Sequence, residues 1–155
     1  MKISVLSVIA VLLLGALPVQ SQVVFEETGI KAVFQKAREE NKLVFIDCYT
    51  SWCGPCKKML KEVFSRKDIG EYMNTRFVNY KQDMEQEEGK ELAGKYGVEV
   101  YPTFFILDAA GEVRHKMVGG MTAGEFLKQV QLGSEKIRYS LSITATGKAN
   151  GIRNL

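Results

Sequence analysis

The apolar pattern of this chain predicts an α/β domain in which a central mixed sheet is flanked by helices on both faces. Three observations carry that expectation. Leu43 to Ile46 and Phe104 to Leu107 are continuous apolar runs of strand length, as expected of strands buried on both faces. Segments with apolar residues at helical spacing alternate with these runs. The breaks between segments are short, and no internal repeat interrupts the series.

The chain has 155 residues and opens with a segment that reads as an export signal. Met1-Lys2 is a small basic start, Ile3 to Leu17 is apolar, and Val19-Gln20-Ser21 offers a cleavage point after Ser21. As a helix, that apolar stretch reaches only about 22 Å, short of the roughly 30 Å of a hydrocarbon core. An exported, periplasmic or otherwise extracytoplasmic protein is therefore expected, with an uncleaved anchor as the alternative. Residues 1–21 contain one Lys and no acid, so their removal leaves 20 basic against 18 acidic residues. That near balance carries no nucleic-acid signature. Residues 22–133 suit one domain able to bury a core without disulfide staples.

The elements follow in order. Thr28-Gly29 opens a helix with Ile30, Val33, Phe34 and Ala37 on one stripe, and Leu43 to Ile46 forms the first buried strand. A helix beginning within Cys53-Gly54-Pro55-Cys56 sets Met59, Leu60, Val63 and Phe64 at core spacing. Ser65 caps a further helical piece to Asn74, with Ile69, Tyr72 and Met73 inward, and a strand runs from Phe77 to Lys81. The acidic run Glu85 to Glu88 opens a helix through Leu92 and Tyr96 that Gly97 ends. Phe104 to Leu107, the turn Asp108-Ala109-Ala110-Gly111 and Glu112 to Val118 form a hairpin, and Thr122 with Glu125 makes a capping box for the last helix. Residues 134–155 alternate apolar and polar side chains, and are expected to be either an edge strand or a partly disordered tail.

Trp52-Cys53-Gly54-Pro55-Cys56 carries the chemistry. Two thiols three residues apart can cycle between dithiol and disulfide. Pro55 suits a first helical turn, which puts Cys53 at a helix N-terminus where free N–H groups and the dipole favour a thiolate. C-x-x-C also occurs in zinc sites, so metal binding is the competing expectation. Three cysteines make an odd count, which fits working chemistry better than scaffolding. Asp47 ends a buried apolar run, where desolvation would raise its pKa and suit it to accept a proton; hydrogen bonding to nearby amides is the alternative. Cys48 should point to the opposite face from Asp47 as an inert buried thiol. A zinc site would need Cys48 and the lone His115 to converge with the pair, which strand geometry opposes, so no metal is expected.

Four separated pieces make the chain resemble the thioredoxin family over roughly Phe25 to Gly133: Asp47 before Cys53, the motif through Lys57, Lys95 to Val98 followed by Tyr101-Pro102-Thr103, and Val118-Gly119-Gly120. The stretch from Phe45 through Ile69 looks most like the exported branch linked to membrane reductases. The resemblance implies a thioredoxin fold and a thiol–disulfide oxidoreductase with no cofactor beyond its own cysteines. It implies that Cys53 attacks a substrate disulfide and that Cys56 resolves the mixed disulfide, the step for which Asp47, by its place at the end of a buried run, is the expected proton acceptor. A cis Tyr101–Pro102 peptide is implied, with substrate contacts from Trp52, Gly54, Pro55, Tyr101, Pro102, Gly119 and Gly120 and positive potential from Lys57. The Gly54-Pro55 pair accompanies reductants in the family, so the expected function is reduction of protein disulfides by a monomer recharged by a membrane-borne thiol donor. Isomerase, oxidant and non-catalytic binding module are the alternatives.

Overall fold

A computed structural model describes residues 22–135. The export segment expected over residues 1–21, and all but the first two residues of the tail expected from 134, lie outside them. Strands β1 (Phe25–Glu26), β2 (Leu43–Tyr49), β3 (Phe77–Asp83), β4 (Thr103–Leu107) and β5 (Val113–Val118) form one sheet in the order β1-β3-β2-β4-β5. The first three are parallel; β4 and β5 run antiparallel to their neighbours. Helices α1 (Ile30–Glu40), α2 (Gly54–Met59), α3 (Lys67–Arg76), α4 (Glu87–Tyr96) and α5, residues 123–135, cover the sheet. This is the expected thioredoxin fold.

The strand alternation divides the core in two. Phe45, Phe104 and Ile106 face α2, α3 and α5, where they meet Met59, Val63, Ile69, Met73, Phe126 and Val130. Phe45 sits among the rings of Phe64, Phe77, Phe104 and Phe126, with centroids 5.6–6.5 Å away. Val44, Ile46, Cys48, Phe105 and Leu107 face Val33 and Ala37 of α1 and Leu92 of α4. Both faces of β2 and β4 are therefore buried, which is why their sequences read as unbroken apolar runs.

Several boundaries differ from the sequence expectation. β2 continues three residues beyond Ile46, because Asp47, Cys48 and Tyr49 remain paired with Lys81, Gln82 and Asp83. Strand β1 is new, held by two pairs to β3. Helix α4 starts at Glu87 with Gln86 as its cap, leaving Glu85 in the preceding loop. Ser65 does not cap α3. Its hydroxyl donates back to the carbonyl of Lys61 at 2.6 Å, and Arg66 holds the cap position. Between α2 and α3 the chain winds as a π-helix, Leu60–Phe64. Five residues in that wider turn displace the α-helical stripe, so Val63 and Phe64 are buried while Leu60, expected in the core, is 49% exposed. The domain also passes Gly133: Ser134 and Glu135 continue α5, and the Ser134 hydroxyl meets Tyr72 Oη at 3.0 Å.

Other expectations hold. Gly97 ends α4 with φ 63°. The Asp108–Gly111 turn closes with Gly111 N–H on the Asp108 carbonyl, and the Asp108 carboxylate accepts the N–H groups of Ala110 and Glu112. Thr122 and Glu125 cap α5 reciprocally: Thr122 N–H donates to Glu125 Oε2 at 2.8 Å, and Glu125 N–H donates to Thr122 Oγ1 at 3.3 Å.

Candidate active site

Parallel strand β2 delivers the chain to the edge of the sheet, and the turn after Tyr49 leads into α2, the arrangement that places functional groups beyond strand C-termini in open α/β sheets. Cys53 is the N-cap of α2, with Gly54 and Pro55 in its first turn. Cys53 and Cys56 are joined by a disulfide, S–S 2.01 Å, and both are buried. The two sulfurs have different surroundings. Cys53 Sγ accepts the backbone N–H of Cys56 at 3.2 Å, and the amide of Cys53 donates to the Thr50 carbonyl at 3.2 Å. Cys56 instead faces inward, sharing a recess of about 100 Å³ with Asp47.

Asp47 is 5% exposed, and its Oδ1 has no hydrogen-bond partner among the described residues. The expected alternative of hydrogen bonding to nearby amides therefore does not account for that oxygen. Burial pushes the carboxyl up to about 7, and the opposing pull comes from Lys81, its register partner on β3. Lys57, on the exposed side of α2, lines the same recess, and its amide donates to the Cys53 carbonyl.

The loops expected around the pair do converge on it. Trp52 is 65% exposed and forms part of the rim: its indole N–H donates to Glu85 Oε1 at 2.9 Å, and its ring stands edge-on to Tyr101 with centroids 6.0 Å apart. The Tyr101–Pro102 peptide is cis. The Pro102 carbonyl accepts the N–H of Gly119 at 2.8 Å, which ties the proline turn to the glycine loop. Gly119 has φ 88°, a conformation open to glycine at little cost. Gly120 abuts the motif, since a Cβ built on it would lie 3.4 Å from Pro55 Cβ. Cys48 faces away, as expected: it is buried among Val44, Ile46 and Phe105, and burial pushes its thiol up. His115 bonds Gln129 at 2.8 Å, on the β5–α5 side.

Three residues of the site were not anticipated. Lys81 was legible in principle, because strand alternation puts it on the face of Asn79 and Phe77. Glu85 belongs by sequence to the acidic run expected to open the next helix, and only the loop conformation brings it to Trp52. Thr50 gave no sequence signal, yet it lines the Asp47 recess.

Comparison with known proteins agrees with this geometry. Thioredoxin H4 of Arabidopsis thaliana is 39% identical over 84 residues, 54% of this chain and 66% of that protein. Protein disulfide-isomerase 1 of Dictyostelium discoideum is 35% identical over 75 residues, 48% of this chain and 21% of that protein. The chain thus spans at most about two thirds of the length of these curated relatives. A solution structure from Bacteroides thetaiotaomicron, provisionally named a disulphide-isomerase, is 45% identical, with 74% of this chain and 95% of that one covered and a TM-score of 0.67. The oxidised C-terminal domain of Neisseria meningitidis DsbD shares the fold at 22% identity, with 66% of this chain and 90% of that one covered and a TM-score of 0.57. A family model described as a thioredoxin-like domain matches residues 30–133. That match takes in Asp47, the cysteine motif, the cis-proline turn and the glycine loop together, and the chain belongs to the thioredoxin family.

Proposed function

We propose that this protein is an exported thiol–disulfide oxidoreductase that reduces disulfides in protein substrates through Cys53 and Cys56. The observation that carries this is the unequal setting of the two sulfurs. Cys53 Sγ lies at a helix N-cap and accepts an amide N–H, which stabilises a thiolate. Cys56 faces a buried carboxyl whose raised pKa suits it to accept a proton near neutrality.

In the cycle, the Cys53 thiolate attacks one sulfur of a substrate disulfide and displaces the other as a thiolate. Asp47 then takes the proton of the Cys56 thiol. The Cys56 thiolate attacks Cys53 Sγ, the Cys53–substrate bond breaks, and the second substrate sulfur leaves as a thiolate. The substrate gains two electrons and the protein ends as the Cys53–Cys56 disulfide. Trp52, Gly54, Pro55, Tyr101, Pro102, Gly119 and Gly120 would border an extended substrate segment, with exposed Val100 and Val118 adding apolar contact. Lys57 adds positive potential at the recess.

The Gly54-Pro55 pair and the lack of a histidine between the cysteines support the reductive direction. The character of residues 1–21 supports export. A reductant outside the cytoplasm needs recharging, which a membrane-borne thiol donor would supply, with the protein acting as a monomer and no further cofactor. The name of the 45% identical Bacteroides protein favours a second function, disulfide isomerisation.

The test mixes pre-reduced protein with a disulfide-bonded protein such as insulin, and follows thiol release. Net release of two thiols per protein, lost in Cys53→Ser, is the expected result. Reshuffling of a scrambled substrate without net thiol release would favour isomerisation, and no reaction with either would refute catalysis.

A further inference from the structure

The recess beneath α2 holds more than the carboxyl and the sulfur. Thr50 is 2% exposed, and its Oγ1 has no hydrogen-bond partner among the described residues, like Asp47 Oδ1. Both residues line the same recess together with Cys56. Two buried polar groups facing one small space, each unsatisfied by protein, are the usual signature of a bridging water, since an unpaired buried hydroxyl or carboxylate costs free energy. The recess, about 100 Å³, exceeds the roughly 10–15 Å³ that one water needs.

We propose that Thr50 is a positioning residue for the resolving step: its hydroxyl and Asp47 Oδ1 hold between them the water through which Cys56 passes its proton to Asp47. The proposal rests on the assignment of Asp47 as the base for Cys56. The thiol proton moves to the water as the water's own proton moves to Asp47 Oδ1. The Cys56 thiolate then attacks Cys53 Sγ, and the electron pair of the broken bond leaves on the substrate sulfur. No further oxidant or reductant is involved. The charged and titratable groups facing Asp47 are Cys56 and Lys57 from α2, Lys81 from β3 and Tyr49 on its own strand, while the adjacent Cys48 points to the other face; its β4 register partner is Phe104. The Thr50 hydroxyl does not titrate in this range, so it would orient the water without competing for the proton.

The backbone of Thr50 serves Cys53, because its carbonyl accepts the Cys53 amide. A change confined to the side chain separates the two roles. Thr50→Val keeps the shape and the carbonyl but removes the hydroxyl, and Thr50→Ser keeps the hydroxyl. Rapid-mixing kinetics on a preformed Cys53–substrate mixed disulfide, across pH 5.5 to 8.5, would read the resolving step alone. Thr50→Val is expected to slow it about fivefold at pH 7, the effect of one lost hydrogen bond, and to move its pH midpoint upward. Thr50→Ser is expected to stay within about twofold of the parent, and the first attack by Cys53 to change by less than about twofold in Thr50→Val. An unchanged resolving rate and midpoint in Thr50→Val, or equal slowing of both steps, would overturn the relay. Asp47→Asn run in parallel keeps the two claims distinct: resolution unslowed there removes the base itself, whereas slowing there with none in Thr50→Val removes only the relay. If Thr50→Val fails to fold, the rate of the unaltered protein in mixtures of H2O and D2O decides the matter. A curved dependence on deuterium fraction is expected for two protons moving together, and a straight line would overturn the proposal.

Discussion

Asp47 and Cys56 line one recess although they belong to different elements, a strand and the helix that folds back over it. Strand alternation turns Asp47 toward α2, and Cys56 lies on the inward face of that helix. The carboxyl is thus desolvated beside Cys56, the sulfur that would lose a proton in the proposed resolving step. Cys53, one helical turn earlier, lies at the N-cap and meets an amide instead.

The buried carboxyl should make stability fall as pH rises. An unfolded chain ionises Asp47 near 3.8, whereas the folded protein holds its proton to about 7, so between these values the folded state binds more protons than the unfolded one. The stability present below pH 3.8 is lost progressively up to about pH 7, by as much as roughly 4 kcal/mol at 1.36 kcal/mol per unit. Asp47→Asn, which carries no charge, should therefore be more stable than the parent at pH 8 by about 1–3 kcal/mol, with the difference shrinking toward pH 4. Denaturant unfolding of the oxidised protein at both pH values measures it. A variant less stable at pH 8 would show that the carboxylate is well satisfied in the fold.

The three thiols should differ in reactivity. In the reduced protein at pH 7, Cys53 should react with iodoacetamide at least about tenfold faster than Cys56, because its place at the helix N-cap favours the thiolate. Cys48 should react only on unfolding, because burial pushes its thiol up. Cys56→Ser should accumulate mixed disulfides with substrates, visible by non-reducing electrophoresis. Faster alkylation of Cys56 than of Cys53 would reverse the assigned roles.

How far the sequence was legible depended on how local each cause was. The buried strands announced themselves because both faces of β2 and β4 are covered, and the Thr122–Glu125 box because its partners are three residues apart. Leu60 misled because the α-helical period does not survive the π-turn. Ser65 misled because a hydroxyl that can cap the next helix can equally bond back to Lys61. Strand β1 is two residues long and exists only through its pairing with β3. At the site, Cys53, Cys56 and Asp47 were readable from spacing, burial and family likeness. Thr50 and Glu85 gain their places from a recess and a loop that no local pattern encodes.

The rim should act on binding more than on chemistry. Trp52→Ala removes an exposed ring that contacts Tyr101 and Glu85, and should raise KM for a protein disulfide by roughly tenfold, as for an aromatic interface anchor. Its folding stability should change by no more than about 0.5 kcal/mol. Kinetics with insulin and with a small aromatic disulfide separate the two effects. Equal losses on both substrates would place Trp52 in the chemistry instead.

Gly89 is the α4 residue that packs against the end of β3. A Cβ there would lie 2.6 Å from Met84 Cα and closer still to the Asp83 carbonyl oxygen, both rigid backbone. Gly89→Ala should cost about 1–3 kcal/mol despite alanine's higher helix propensity. Gly94, on the same helix with open space around it, should gain up to about 1 kcal/mol from the same change. Thermal unfolding of both variants checks the contrast, and equal shifts would contradict the packing of α4.

The most direct test of the reductive cycle is the reduction potential of the Cys53–Cys56 pair, measured by equilibration with glutathione or a reference dithiol. The predicted value lies near the thioredoxin end of the known range, about −270 mV, rather than the strong-oxidant end, about −120 mV. Those ends differ by about 7 kcal/mol for a two-electron couple, far outside experimental error. A potential more positive than about −180 mV, where a disulfide isomerase lies, would contradict the reductive assignment and place the protein among isomerases or oxidants.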